Sequence, residues 1–271
     1  MGKRLLAHLA ILGLLALYML PIVWMLSTSL KPDDELFTEQ IRWIPNRIAW
    51  ENYQQALATF PFGVYLRNTV LIAGLTVVGA LLSCLPPAYA FARMRWRGRN
   101  FWFWVMLSTL MLPPQVTLLP VFLLFRQLGW VDTFLPLIVP AFLGNAFLIF
   151  MLRQFFLTLP QELIDAARLD GCSEWAILWR LVAPMSKPAV ATVALFSFVW
   201  AWTDFMNPLI YLNDSSKFTL AVGLQYFLGR HGEQWNLLMA AATVVTAPLV
   251  LLFLLTQRAY VRGITLTGLK G

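Results

Sequence analysis

Six stretches of this chain, residues 5–30, 70–92, 101–125, 134–152, 189–212 and 237–256, are long and almost uninterruptedly apolar. A helix needs about 20 such residues to cross a hydrocarbon core of roughly 30 Å. Hydrophobic residues make up 59% of the chain and charged ones 12%, far from soluble usage. The expected fold class is therefore all-α, a polytopic membrane protein with six transmembrane helices. The first stretch has the basic start of a signal peptide, Lys3 and Arg4. At about 26 residues it outruns a usual signal core, and Tyr18, Pro21 and Trp24 fall where small cleavage-site residues belong, so it reads as a retained span. The fourth stretch is interrupted by Pro136, Pro140 and Gly144. Such breaks survive in lipid where neighbouring helices or water satisfy the freed carbonyls, so this span is either packed or path-lining, or simply kinked.

Lys and Arg set the orientation, because cytoplasmic loops retain positive charge. Lys3, Arg4, Arg93, Arg95, Arg97, Arg99, Arg153, Arg168, Arg180, Lys187, Arg258, Arg262 and Lys270 fall on one side, thirteen of the 20 basic residues. On the other side Lys31, Arg42, Arg47, Arg67, Arg126, Lys217 and Arg230 are spread out and mixed with Asp33, Asp34, Glu35, Glu39 and Glu51. Both termini and the long loop after the fourth span are expected in the cytoplasm. Topology accounts for the net charge of +7, and with no basic patch on a soluble domain nucleic acid is not an expected partner. Cys84 lies in a span and Cys172 in the cytoplasmic loop, so no disulfide is expected. His8 and His231 are too far apart to form a metal site.

The loop 160–188, PQELIDAARLDGCSEWAILWRLVAPMSKP, is hydrophilic and cannot span. Thr158 and Gln161 have capping-box spacing around Pro160. Leu163, Ala166, Ala167 and Asp170 follow helical spacing, and Gly171 supplies a left-handed stop. Ser173 can cap a second short helix through Trp175, Leu178, Trp179 and Leu181, stopped by Pro184 and Pro188. A helix this short is marginal alone, so its small apolar face packs either on this chain's own span ends or in a partner's groove.

The string Glu162, Asp165, Ala166, Ala167, Asp170 and Gly171, with Pro184 beyond it, resembles the "EAA" loop of permease subunits of binding-protein-dependent ABC importers; Asp165 stands where the usual triplet has glutamate. The segments LPIVWMLSTSLKPDDELF, Asn52–Tyr53, Asn68–Thr69, Arg97–Gly98–Arg99, GWVDT, TDFMNPLIYL and GITLTGLKG are similar to the maltose-type carbohydrate permeases along essentially the whole chain. The resemblance implies a type I ABC importer permease in the inner membrane of a prokaryote. It also implies a second homologous permease subunit, an ATPase subunit dimer and an extracytoplasmic solute-binding protein landing on residues 31–67 and 214–234. The loop helix would be the coupling helix. Domain organisation then reads as 1–66, first helix and external segment; 67–262, transmembrane core with the coupling loop at 158–188; and 263–271, cytoplasmic tail.

No cofactor is expected in this chain, ATP and Mg being bound by the ATPase. The nearest approach to a phosphate loop, Gly263 to Gly268, places Leu269 before Lys270 and has no following Ser or Thr, which rules out that chemistry. Ionisable groups inside spans are suspect. Asp204 is the acidic residue placed in an apolar core, followed by Asn207, with Trp200, Trp202 and Tyr211 offering ring faces. These and Asn145 are candidates for the translocation path, or else structural hydrogen-bonding groups. A membrane enzyme would need a convergent catalytic set that is missing here. The remaining alternative is an ion-gradient-driven secondary transporter of a polar solute, which should show paired ionisable groups or inverted repeats.

Overall fold

The computed structural model describes residues 2–37, 42–228 and 234–268, with side chains from 6 to 257 within those ranges. Glu39, Arg230, His231 and Lys270 lie outside the described residues, as do the side chains of Lys3, Arg4, Arg258 and Arg262. The last three residues of the 263–271 tail, and 229–233 of the 214–234 segment, are likewise outside. Every regular element among the described residues is helical. Among the described residues four helices are long and apolar enough to span, Leu6–Ser29, Phe62–Arg93, Leu135–Phe156 and Trp235–Gln257, and the number is six when each of two bent pairs is taken as one span. The chain divides into two compact units, Met1–Gly63 with Leu220–Leu251, and Val64–Thr219 with Leu252–Gly271.

The first unit contains α1 (Gly2–Ser29), α2 (Glu51–Ala58), α13 (Leu220–Gly223) and the first half of α14 (Trp235–Gly268), whose second half belongs to the other unit. A helix end leaves carbonyls without intrahelical partners, and buried ones must be met. Here Asn52 Nδ2 donates to Ser29 O (3.0 Å) and Lys31 O (2.8 Å). Asn236 Nδ2 donates to Asp33 Oδ1 (2.6 Å) and Lys31 O (3.3 Å), joining the start of α14 to the end of α1.

The second unit holds most of α3 (Phe62–Arg93), then α4 (Arg99–Ser108), α5 (Pro114–Gln127), α6 (Leu135–Ile138), α7 (Ala146–Phe156), α8 (Gln161–Leu169), α9 (Glu174–Ile177), α10 (Ala183–Met185), α11 (Lys187–Thr203) and α12 (Met206–Tyr211). Its core joins the second half of α3 to α7, α8, α9 and α11 through Cys84, Leu85, Ala88, Leu152, Phe156 and Val193. Besides the fourth, two expected spans are not continuous. The 101–125 stretch bends by 96° where Pro113 and Pro114 forbid amide donation. The 189–212 stretch breaks after Thr203, where Asp204 takes an extended backbone.

The broken fourth span is packed on α3. Between α6 and α7 the chain forms a 3₁₀ segment, Val139–Leu143, whose freed carbonyls are met from α3. Ser83 Oγ donates to Ala141 O (2.7 Å), and Thr76 Oγ1 approaches Leu137 O at 3.5 Å. Gly79 lies between them on the same face, and a Cβ there would stand 2.6 Å from the Phe142 ring. A small residue is thus required for this approach.

A second tie joins the loop after α5 to the segment after α12. Asp132 Oδ1 accepts from the amides of Asn213 and Asp214 (3.0 Å each), and Lys217 Nζ donates to Asp132 Oδ2 at 2.7 Å. The Asp214 amide first, then Lys217 and the Asn213 amide, hold the Asp132 carboxyl down at about 2. A depressed carboxylate stabilises the fold fully above its ordinary value of about 4, and loses that contribution as pH falls through its folded value. Asp132→Asn, which tolerates the positive φ of 61° at this position, should therefore melt below wild type at pH 7. The gap between the two melting temperatures should shrink between pH 4 and 2; a gap independent of pH would count against the carboxylate's role.

Candidate functional site

The polar loop folds from local rules with two departures. Pro160 occupies the N-cap position of α8, without a side-chain cap, so the expected capping box is absent. Thr158 Oγ1 instead donates back to Phe155 O (2.7 Å), and Gln161 Nε2 donates to Asp165 Oδ1 (3.0 Å). The α8 stop is as expected. Gly171 has φ +80°, its amide donates to Arg168 O, and the Cys172 amide donates to Ala167 O, both at 3.0 Å. That pair of bonds is a Schellman motif, which a glycine accommodates without Cβ strain. Ser173 Oγ then accepts from the Ala176 amide (3.2 Å) and starts α9.

Pro184 does not stop the second helix. The chain passes from α9 through a π turn, Leu178–Val182, into α10, and ends at Ser186. The wider turn shifts the hydrogen-bond register ahead of a residue with no amide to donate. Pro188 falls in the first turn of α11, where proline is tolerated.

Anchoring comes from residues the periodicity did not single out. The buried residue of α8 is Ile164, 1% exposed, while Leu163 is 43% exposed. Ile164 joins Ile177, Leu178 and Val182 in the core of the second unit, and Ala167 packs at its edge. Arg168 holds Glu174 with two bonds, Nε to Oε1 at 2.7 Å and Nη2 to Oε2 at 3.2 Å, and also reaches Asp165 Oδ1 (3.1 Å) and Arg93 O (3.3 Å). The hydrogen bond to Glu174 is the main reason its guanidinium is held above the ordinary arginine value. Tyr89 Oη donates to the same glutamate. Arg93 donates from Nε to Phe156 O (2.9 Å), from Nη1 to Gln161 Oε1 (2.7 Å), and from Nη2 to Leu159 O. The end of α3 thus grips both sides of the turn into α8. Sequence reading counted Arg93 and Arg168 only as inside charges; the carbonyls Arg93 reaches, and the Arg93 carbonyl that Arg168 reaches, lie 63 to 75 residues away, too far for spacing to signal them.

One surface of the loop is left open. Glu162, Leu163, Asp165, Ala166, Asp170 and Gly171 are exposed, with Leu169 at 89% and Trp175 at 62%, while Ala167 is half-buried and Pro184 exposed. The loop's apolar residues therefore divide, one face packing on the chain's own spans and another facing outward.

The translocation-path candidates separate. Asp204 is half-buried at the break after α11 rather than inside a helix, and its carboxylate accepts from Asn207 N (3.2 Å) and Nδ2 (2.8 Å). It lines a cavity of about 150 Å³ with Ile72, Thr76, Leu137, Trp200 and Pro208. Trp202 is buried against Phe198, ring centroids 5.2 Å apart. Asn145 caps α7, accepting from the Phe147 (3.0 Å) and Leu148 (3.1 Å) amides. Tyr211 is buried and stacks on Phe122 at 6.0 Å. Among the described residues no three His, Cys, Asp or Glu side chains converge as a metal site.

An all-helical chain with broken apolar spans and a polar loop clamped to their ends is organised as a multi-pass membrane protein. The family described as binding-protein-dependent transport system inner membrane component matches residues 77–266, and the chain belongs to it. The arabinooligosaccharides transport permease AraQ of Halalkalibacterium halodurans is 33% identical over 254 residues, 93% of this chain and 91% of that one. The sn-glycerol-3-phosphate transport permease UgpE of Yersinia pestis is 30% identical over 271 residues, 97% and 96% of the two chains. A bacterial ABC transporter involved in import of the acidic polysaccharide alginate superposes with a TM-score of 0.81 at 25% identity, covering 93% of this chain and 95% of that one. The protein is thus the permease subunit of a binding-protein-dependent importer, a class that works with an ATPase and a solute-binding protein.

Arg168→Ala should loosen the loop without unfolding the spans. Loss of a bidentate, partly exposed pair and its carbonyl contact amounts to roughly 1–2 kcal/mol, a factor of about 5–30 in local opening. Hydrogen exchange of the 161–175 amides should speed by that factor while those of α7 stay unchanged; equal rates would show that Arg168 does not hold the elbow.

Proposed function

We propose that the chain forms half of the membrane pathway of an ATP-driven importer for a carbohydrate or related solute. Its 158–188 loop seats in a cleft of the ATPase subunit. The observation that carries this reading is the outward surface of α8, Leu163, Ala166 and Leu169 between Glu162, Asp165 and Asp170, on a helix whose opposite face is bolted to α3 and α7. A rigid element with one free amphipathic face suits helix-in-groove docking, and its clamp passes motion of the partner to the spans as a rigid body. The 18-residue window of α1 has none of its residues buried within this chain, in keeping with a second permease subunit and lipid around it. ATP and Mg belong to the ATPase in this scheme.

The names of relatives carrying arabinooligosaccharides and sn-glycerol-3-phosphate support a polyhydroxylated solute. Asp204 and Asn207, beside the Trp200 ring at the cavity, are the groups proposed to meet it. The complex reconstituted with its receptor should show ATPase activity stimulated by one class in a sugar panel. Ala166→Trp, at an exposed position where the added ring meets no part of this chain's core, should leave insertion intact and reduce uptake at least about tenfold, equivalent to ~1.4 kcal/mol of lost coupling. Unchanged uptake would sink the coupling role.

The inside-positive pattern supports a topology with both termini and the loop in the cytoplasm. Cys172 is exposed on the loop and Cys84 is buried in α3, which supplies a native probe. A membrane-impermeant maleimide should label Cys172 in inside-out vesicles and leave it unlabelled in right-side-out ones; the reverse pattern inverts the topology.

A further inference from the structure

Between the end of α3 and the start of α4 lies an open cavity of about 430 Å³, lined by Arg95, Trp96, Gly98, Arg99, Asn100 and Phe101. None of Arg95, Arg97, Arg99 and Arg153 takes part in an ion pair among the described residues. Arg99 donates to Met94 O (3.0 Å), and Arg153 donates to Phe91 O (3.2 Å) while lying over the Phe103 ring, 4.1 Å from its centroid. Phe91 joins Trp96 and Phe103 at 5.7 and 5.5 Å, making one cluster of cations and rings. Neutral carbonyls and a ring face orient Arg99 and Arg153 without matching their charge, Arg95 and Arg97 are exposed beside them, and a concentrated uncompensated charge attracts an anion. The cluster sits where α3 leaves the apolar layer. Directly after it Phe101, Trp102 and Trp104 are exposed on the first turns of α4, as aromatic residues at a membrane interface are.

We propose that this cavity is a headgroup site for an anionic phospholipid. The phosphate is held by Arg95 and Arg99, and the acyl chains lie along the exposed rings of α4. A soluble anion would use the arginines alone, whereas a lipid uses both halves of the surface; basic pockets beside transmembrane helices recognise lipid headgroups in this way. The site needs only the multi-pass membrane reading. It is independent of the proposed solute, and binding in detergent does not depend on orientation, so its failure is separate from failure of the Cys172 labelling or of the sugar panel.

The test is native mass spectrometry of the intact transporter in detergent, titrated with phosphatidylglycerol, phosphatidylcholine or inorganic phosphate. Wild type should retain phosphatidylglycerol over phosphatidylcholine, and millimolar inorganic phosphate should not displace it. Each of Arg95→Gln and Arg99→Gln should weaken retention about fivefold, while Arg95→Lys should keep most of it. Equal retention of the two lipids by wild type overturns the site even where the glutamine variants fail to assemble. Undiminished retention in both glutamine variants, or displacement by inorganic phosphate, overturns it too.

Discussion

A peptide carbonyl or amide freed inside hydrocarbon has no water to bind and must find its partner within the protein. Breaks near residues 112, 139–145 and 204 all raise this demand. The middle break is met largely from α3: Thr76 and Ser83 donate to carbonyls of the broken segment, and Cys84 Sγ accepts from the Asn145 amide at 3.4 Å. These residues, with Gly79 between them, follow the spacing of one helix face. At the last break Asp204 accepts from the Asn207 amide, doing for α12 what Asn145 does for α7. An acidic group in a span sequence therefore has a structural task before any solute arrives. That task leaves Asp204 half-buried at the cavity it lines together with Trp200 and Thr76.

The same α3 continues to Tyr89, which holds Glu174 at the start of α9, and to Arg93, which grips the turn into α8. One continuous helix therefore supports the broken span at its middle and the polar loop at its end. Two kinds of interaction share the second job. Burial of Ile164 at 1% exposure is of the class whose truncation costs about 2–5 kcal/mol. The Arg168 to Glu174 pair, about a third exposed on each side, contributes closer to ~1 kcal/mol. Packing holds the loop in place, and the ionic fork fixes the angle between α8 and α9. A helix seated this way can be pushed from outside and turn as one piece with α3.

How much of this is legible in the sequence depends on how local the controlling interaction is. Gly171 and Ser173 act within three residues of themselves, so their roles read directly. The apolar stretches are legible too, because length and composition decide them, but the bend in 101–125 and the break after Thr203 in 189–212 are not. The capping box around Thr158 fails because Pro160 takes the N-cap position and Thr158 closes the preceding turn. Pro184 fails as a stop because a π turn absorbs the missing amide, and no residue pattern announces that register. Arg93 and Arg168 are the largest omissions. Their partners at Phe156, Leu159 and Arg93 O are set by tertiary packing, 63 to 75 residues away. Asp132 stands in the GWVDT segment, which carried resemblance but no visible reason; its partners at Asn213 and Asp214 are 81 and 82 residues distant.

Counting basic residues by loop treats every inside arginine alike, yet the structure separates them into two physical kinds. Arg93 and Arg168 turn inward and each reaches three residues at once, Arg93 two carbonyls and the Gln161 amide oxygen, Arg168 two carboxylates and a carbonyl, in the planar fork geometry that a lysine lacks; Arg153 donates to the Phe91 carbonyl and lies over the Phe103 ring. Arg95 and Arg97 remain exposed, without an ion pair. Orientation in the membrane needs only the total charge, so either kind would serve it. The inward arginines are fixed by the geometry of the α3 elbow, and the outward ones leave a concentrated charge that no ion pair among the described residues neutralises.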